Sequence, residues 1–133
     1  MNQKQKKDIR KMLTSVMTFD EPLAKHTTFG IGGPADCMVF PKTREELSKL
    51  LKYAYQKNIS AIFIGSGSNI LVWDKGFDGI VISLKKSFKN LTIKQNSRII
   101  VEAGVMLGTM VKQAMATEIG GLESLIGVPG TVG

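Results

Sequence analysis

The sequence predicts an α+β fold of small mixed sheets with two amphipathic helices, outside the Rossmann class. Three observations support this. Two segments repeat apolar residues at helical spacing, short β-branched runs alternate with turn-rich stretches, and the most prominent glycine loop runs into β-like residues instead of opening a helix. With 133 residues, 43% of them hydrophobic and 22% charged, the chain has the size and composition of one globular domain.

Residues 1–20 are expected to form a helical leader. Lys4, Lys6, Lys7, Arg10 and Lys11 precede Met12, Leu13, Val16 and Met17, an order shared with secretion signals. Thr14, Ser15 and Thr18 interrupt that apolar stretch, and Asp20-Glu21-Pro22 stands where a small-residue cleavage site would be. A short amphipathic helix and a cytoplasmic address are therefore expected. No apolar run approaches the roughly 20 residues of a membrane helix, so no membrane partner is expected.

Pro22 to His26 reads as a connector, and Ala35 to Phe40 as a strand ended by Pro41. Thr43 and Glu46 then form a T-x-x-E capping box ahead of Leu47, Leu50, Leu51, Ala54 and Tyr55, one apolar stripe, with Asn58 as its stop. Ser60 to Ile64 reads as a strand buried on both faces, Ile70 to Trp73 as β-like, and Ile80 to Leu84 as a strand following a turn at Gly76 to Gly79. Leu91 to Lys94 and Arg98 to Ala103 pair as a hairpin around Gln95-Asn96-Ser97. Leu107, Met110, Val111, Ala114 and Met115 repeat the helical stripe, ended by Gly120-Gly121.

The single cysteine, Cys37, excludes an internal disulfide and reads as a small core residue. One Cys and one His leave no ligand set for structural zinc, so no metal is expected. His26, beside Thr27 and Thr28, reads as a hydrogen-bonded structural residue. The net charge of +7 raises the question of nucleic acid. Its basic clusters, at the N-terminus and at Lys85, Lys86, Lys89, Lys94 and Arg98, are not interleaved with aromatic residues, so solvated surface is expected and no nucleic-acid partner.

Chemistry first becomes visible at Gly65-Ser66-Gly67-Ser68-Asn69. Successive small residues after a strand can aim several backbone N–H groups at one point, and such nests hold anions, phosphates above all. No Lys-Ser or Lys-Thr closes the loop, which excludes a P-loop, and Ile70 stands where a Rossmann fingerprint needs its third glycine. A turn rich in Gly, Ser and Asn has the same composition, and the loop alone does not separate the two readings. Gly127 to Gly133 is a second glycine loop, whose Pro129-Gly130 pair favours a type II turn, and Gly30 to Pro34 is a third. Together they suggest an extended ligand threaded between strand ends.

Four segments carry a resemblance. They are His26-Thr27-Thr28-Phe29-Gly30-Ile31-Gly32-Gly33-Pro34-Ala35-Asp36; Ile64-Gly65-Ser66-Gly67-Ser68-Asn69-Ile70-Leu71 with Asp74, Gly76 and Gly79 after it; Glu102-Ala103-Gly104 leading into a helix; and Gly121-Leu122-Glu123 through Gly127-Val128-Pro129-Gly130-Thr131-Val132-Gly133. In this order and spacing, over residues 20–133, the chain resembles the UDP-N-acetylenolpyruvoylglucosamine reductases, which have vanillyl-alcohol-oxidase/PCMH-type FAD-binding domains. It departs from them at His26, where the family often has Asn, and at Val128, where it commonly has Ile.

The resemblance implies that residues 21–133 are the N-terminal portion of an FAD-binding domain, incomplete where the chain stops in a glycine loop and without the substrate domain. It implies FAD as cofactor, NADPH as reductant, and a UDP-sugar as substrate of the full enzyme. Hydride passes from NADPH through the flavin to the enolpyruvyl double bond, giving UDP-N-acetylmuramate, a peptidoglycan precursor. Gly65, Ser66, Gly67, Ser68, Asn69 and Ile70 are expected to cradle the FAD pyrophosphate. Pro129, Gly130, Thr131, Val132 and Gly133 are expected to line the flavin side. The family's catalytic serine, arginine and glutamate fall after Gly133, so no catalytic residue is assigned and the chain alone is expected to be inactive. Two other readings stay open, a split enzyme with a complementing C-terminal chain and a basic nucleic-acid-binding module.

Overall fold

A computed structural model describes all residues, 1–133. Helix α1 (Gln3–Met12) starts on a capping box in which Asn2 accepts from the Gln5 N–H and the Gln5 side chain accepts from the Asn2 N–H. It ends well before residue 20. The apolar residues beyond it form a strand, β1 (Val16–Pro22), paired antiparallel with β2 (Pro34–Phe40) from Val16–Phe40 to Pro22–Pro34. The expected helical leader is thus a helix followed by a sheet strand. Val16, Thr18 and Asp20 alternate with the half-buried Met17 and Phe19, and that period of two decides for strand. Pro22 to His26, read as a connector, contains one 3-10 turn, Leu23–His26, whose Leu23 is buried.

Helix α2 (Arg44–Gln56) begins where its cap lies in the sequence. Thr43 Oγ1 accepts from the Glu46 N–H, but the Glu46 carboxylate does not return the bond. It turns instead to the N–H and hydroxyl of Thr14, the hydroxyl of Ser15 and the N–H of Lys42, closing the α1–β1 connection against the start of α2. Burial pushes the Glu46 carboxyl up, and these donors outweigh it, holding its pKa at about 2. Asn58 stops the helix in a left-handed conformation (φ 50°), with the Ile59 N–H on the Ala54 carbonyl.

The main sheet is completed by β3 (Ala61–Ile64) and β4 (Phe77–Ser83), in the order β1-β2-β4-β3, with β4 parallel to both β2 and β3. β3 is therefore an edge strand, not one buried on both faces, and Phe63 is 52% exposed. Ile9 of α1, Leu13 just after it, and Leu50 and Ala54 of α2 cover one sheet face, against Cys37, Val39, Ile80 and Ile82. On the other face Leu23, Ala35, Met38, Phe40, Ile64 and Val81 pack together, with Ile70 and Val72 laid over them. Ala35 lies on the Met38 face although its number matches Cys37 and Val39, because the β2–β4 register shifts between Ala35 and Cys37.

Ile70 to Trp73 forms no strand. It is an irregular segment, and Trp73 is 84% exposed. The predicted hairpin is present as β5 (Leu91–Lys94) and β6 (Arg98–Val101). Helix α3 (Leu107–Ala116) ends four residues before Gly120, the first of the glycines expected to end it, with Glu118 left-handed (φ 57°) and the Ile119 N–H on the Ala114 carbonyl.

Candidate functional site

Parallel strands β3 and β4 end side by side, with Ile64 paired to Ser83, and the chain leaves both ends into loops. In sheets with parallel strands, ligands bind outside the carboxyl ends of the strands. Here the loop leaving β3 is Gly65 to Asn69, and it meets the second glycine loop. Phe63, Ile64, Gly65, Ser66, Gly67, Ser68, Asn69, Ile70, Pro129, Gly130, Thr131 and Gly133 line one open cavity of about 300 Å³. Of the residues proposed from the sequence, only Val132 is not on its wall.

Each loop is held from behind. Ser68 donates to the Pro129 carbonyl at 3.3 Å, and Ser66 donates to Ser68 at 3.1 Å, so the hydroxyls bind the two loops together. The second loop is fastened to the approach to α3, where the Leu107 N–H reaches the Gly130 carbonyl at 3.0 Å, Val132 reaches Val105 at 2.8 Å and Gly133 reaches Ala103 at 3.1 Å. Glu102 secures that approach, accepting from the Asn90 N–H and from Arg44 at 2.9 Å. These donors hold its carboxyl below the usual carboxylate range.

Two glycines are dictated by space. A Cβ on Gly65 would stand 2.6 Å from Thr131 Oγ1. Gly67 has φ +77°, and a Cβ there would run into the His26 carbonyl, while the Thr28 N–H donates to the Gly67 carbonyl at 2.9 Å. The 26–28 segment thus buttresses the first loop from outside. His26 Nε2 donates to Glu21 Oε1 (2.9 Å) beside the Phe40 ring and is not on the cavity wall. The third glycine stretch is also elsewhere, since Gly33 donates to the Trp73 carbonyl and packs against residues 74–76. Two of the three glycine stretches therefore meet at this cavity, and Gly30 to Pro34 is not on its wall.

None of the backbone N–H groups from Ser66 to Ile70 donates within the protein, nor do those of Gly130 and Thr131. Buried or partly buried N–H groups are normally paired, and a run of free donors on one wall suits an anion. No charged side chain lines this cavity. Small residues, free amides and hydroxyls fit a pyrophosphate-bearing ligand such as FAD. Cys37, by contrast, is fully buried in β2, and burial pushes its thiol up to about 12, which suits core and not chemistry.

Sequence reasoning did not mark Phe63, Ile64 or Lys85 as site residues. Lys85 was counted with a basic cluster, yet it lies two residues after β4 and lines an adjoining cavity of about 220 Å³ with Gly65, Thr131 and Gly133. Its place one residue beyond the expected strand Ile80 to Leu84 was the available signal.

Residues 35–133 match the family described as FAD binding domain. A UDP-N-acetylenolpyruvoylglucosamine reductase of Carboxydothermus hydrogenoformans is 41% identical over 98% of this chain and 43% of its own length. The crystal structure of UDP-N-acetylenolpyruvylglucosamine reductase (MurB) from Thermus caldophilus superposes with TM-score 0.69 at 32% identity, covering 91% of this chain and 40% of that one. An alkyldihydroxyacetonephosphate synthase, 18% identical with TM-score 0.65 over 89% of this chain, shares the fold. The chain therefore spans about two-fifths of the length of the reductases it matches.

Proposed function

The chain belongs to the FAD binding domain family, and from that premise we propose that it is the FAD-holding portion of a reductase. That enzyme would use NADPH to convert UDP-N-acetylenolpyruvoylglucosamine to UDP-N-acetylmuramate in the cytoplasm, for peptidoglycan synthesis. The observation that carries the reading is the run of free backbone donors from Ser66 to Ile70, facing Gly130 and Thr131 across one cavity.

In this reading bound FAD supplies the hydride transfer, and the chain supplies position. The Ser66–Ile70 amides would hold the pyrophosphate, while the Ser66 and Ser68 hydroxyls keep the two loops together behind it. Pro129 to Gly133 presents backbone groups toward the flavin, with Thr131 Oγ1 close to Gly65 setting how near the two loops come. The cavity wall carries no titratable side chain that could protonate a substrate carbon. That group comes from another part of the enzyme, on a continuation of the chain or on a complementing polypeptide. The 133 residues by themselves bind cofactor without turnover.

The test is to add FAD to the purified chain, desalt it and record the visible absorbance, then supply NADPH and the UDP-sugar. Retained flavin bands without formation of UDP-N-acetylmuramate are expected. A well-folded chain that retains no flavin would contradict the cofactor role, and product formation by the chain alone would contradict the assignment of catalysis elsewhere.

A further inference from the structure

The loop-lined cavity would hold a doubly charged pyrophosphate entirely with neutral donors, for no cation lines it. The adjoining cavity shares Phe63, Ile64, Gly65, Thr131 and Gly133 with it, so the two form one recess across the carboxyl ends of β3 and β4. Its additional wall residues are Leu84, Lys85 and Ala103, and Lys85 is the only charged one. Lys85 is half-buried and takes part in none of the chain's ion pairs, unlike Lys6, which pairs with Asp20. Its neighbour Lys86 is committed elsewhere, 4.0 Å over the Phe40 ring.

The geometry points to Lys85 as the counter-charge for a phosphate of the bound dinucleotide, an inference that rests on the cofactor reading above. A phosphate held by the amides after β3 would lie in the same recess that Lys85 lines beyond β4. A cation on a flexible stem at the edge of a partly desolvated recess adds Coulomb attraction that the neutral loop lacks. The N-terminal basic residues Lys6, Lys7, Arg10 and Lys11 line a separate groove that shares no residue with this recess.

The test is a fluorescence titration of the chain with FAD at several salt concentrations, using wild type, Lys85→Gln, Lys85→Arg and the surface control Lys89→Gln. Loss of one charge-assisted contact is expected to weaken FAD about tenfold in Lys85→Gln and to flatten the salt dependence of Kd. Lys85→Arg should keep both near wild type, and Lys89→Gln should leave both unchanged. Wild-type affinity in Lys85→Gln would overturn the counter-charge while leaving the cofactor site intact. Weakened binding with an unchanged salt slope would make the residue merely structural, and would also overturn it. A wild-type chain that binds no FAD would overturn the cofactor reading itself.

Discussion

Replacing Gly67 by alanine should separate a structural glycine from a convenient one. The residue has φ +77°, and an added Cβ would meet the His26 carbonyl group, its carbon at 2.8 Å, and Thr27 Cα at 3.0 Å. Holding a side-chain-bearing residue left-handed costs about 1–2 kcal/mol, and pushing apart packed backbone costs about 1–3 kcal/mol more. The carbonyl cannot swing aside cheaply, because the Thr28 N–H bond to Gly67 O pins the two segments at 2.9 Å. With an unfolding entropy of about 2.1 cal/mol/K per residue, a loss near 3.5 kcal/mol lowers Tm by about 12 °C. Gly121→Ala is the comparison, since Gly121 is also left-handed (φ +94°) but has nothing within 4 Å of the added carbon. Strain alone there should cost about 1–2 kcal/mol, or about 4–7 °C. Thermal unfolding by circular dichroism reads both, and FAD titration should show binding lost in Gly67→Ala and kept in Gly121→Ala. If the two variants melt within about 2 °C of each other, the close approach of residues 26–28 is not what demands glycine at this position.

Ser83 Oγ is fully buried with no hydrogen-bond partner, so Ser83→Ala should raise stability by about 1 kcal/mol, or about 3–4 °C in Tm; a lower melting temperature would show that the hydroxyl is satisfied. The Glu46 carboxyl, at about 2 against an ordinary value of 4.5, binds protons less readily folded than unfolded. Its stabilising contribution is therefore present in full above about pH 4.5 and lost as pH falls toward 2. Tm measured across that range should fall less steeply in Glu46→Gln than in wild type, and parallel curves would remove Glu46 from the acid response.

The sequence showed the parts that local chemistry specifies. Thr43 and Asn58 bound α2 because a hydroxyl cap and a residue tolerant of left-handed backbone are local signals. Gln95-Asn96-Ser97 marks its hairpin for the same reason, with Ser97 taking the positive φ. Strand position is not local. That β3 lies at the edge of the sheet, or that Val16–Pro22 pairs with β2, depends on which strands neighbour them, and a short apolar run reads alike in the centre and at the edge. The end of α3 went unread because Glu118 takes a left-handed conformation that the sequence leads one to expect of Gly120 or Gly121.

At the site, glycine and serine clustering was legible in both loops, and spatial convergence was not. Nothing in the spacing of Ser68 and Pro129 says that the hydroxyl of one reaches the carbonyl of the other. The third glycine stretch has the same composition and turned out to be packing, with Gly33 held against residues 74–76. Lys85 was masked by its basic neighbours, since charge density alone does not distinguish a side chain over a cavity from one in solvent.

The central claim is that free amides of Ser66–Ile70 hold the cofactor's pyrophosphate while the Pro129–Gly133 loop faces its flavin, and an amide NMR titration of the isotope-labelled chain with FAD tests it most directly. The account expects the Ser66–Ile70, Gly130 and Thr131 signals to shift together and to gain protection from solvent exchange as FAD is added. Shifts confined to other surfaces, such as the basic groove between α1 and β1 lined by Lys6, Lys7, Arg10 and Lys11, would contradict it.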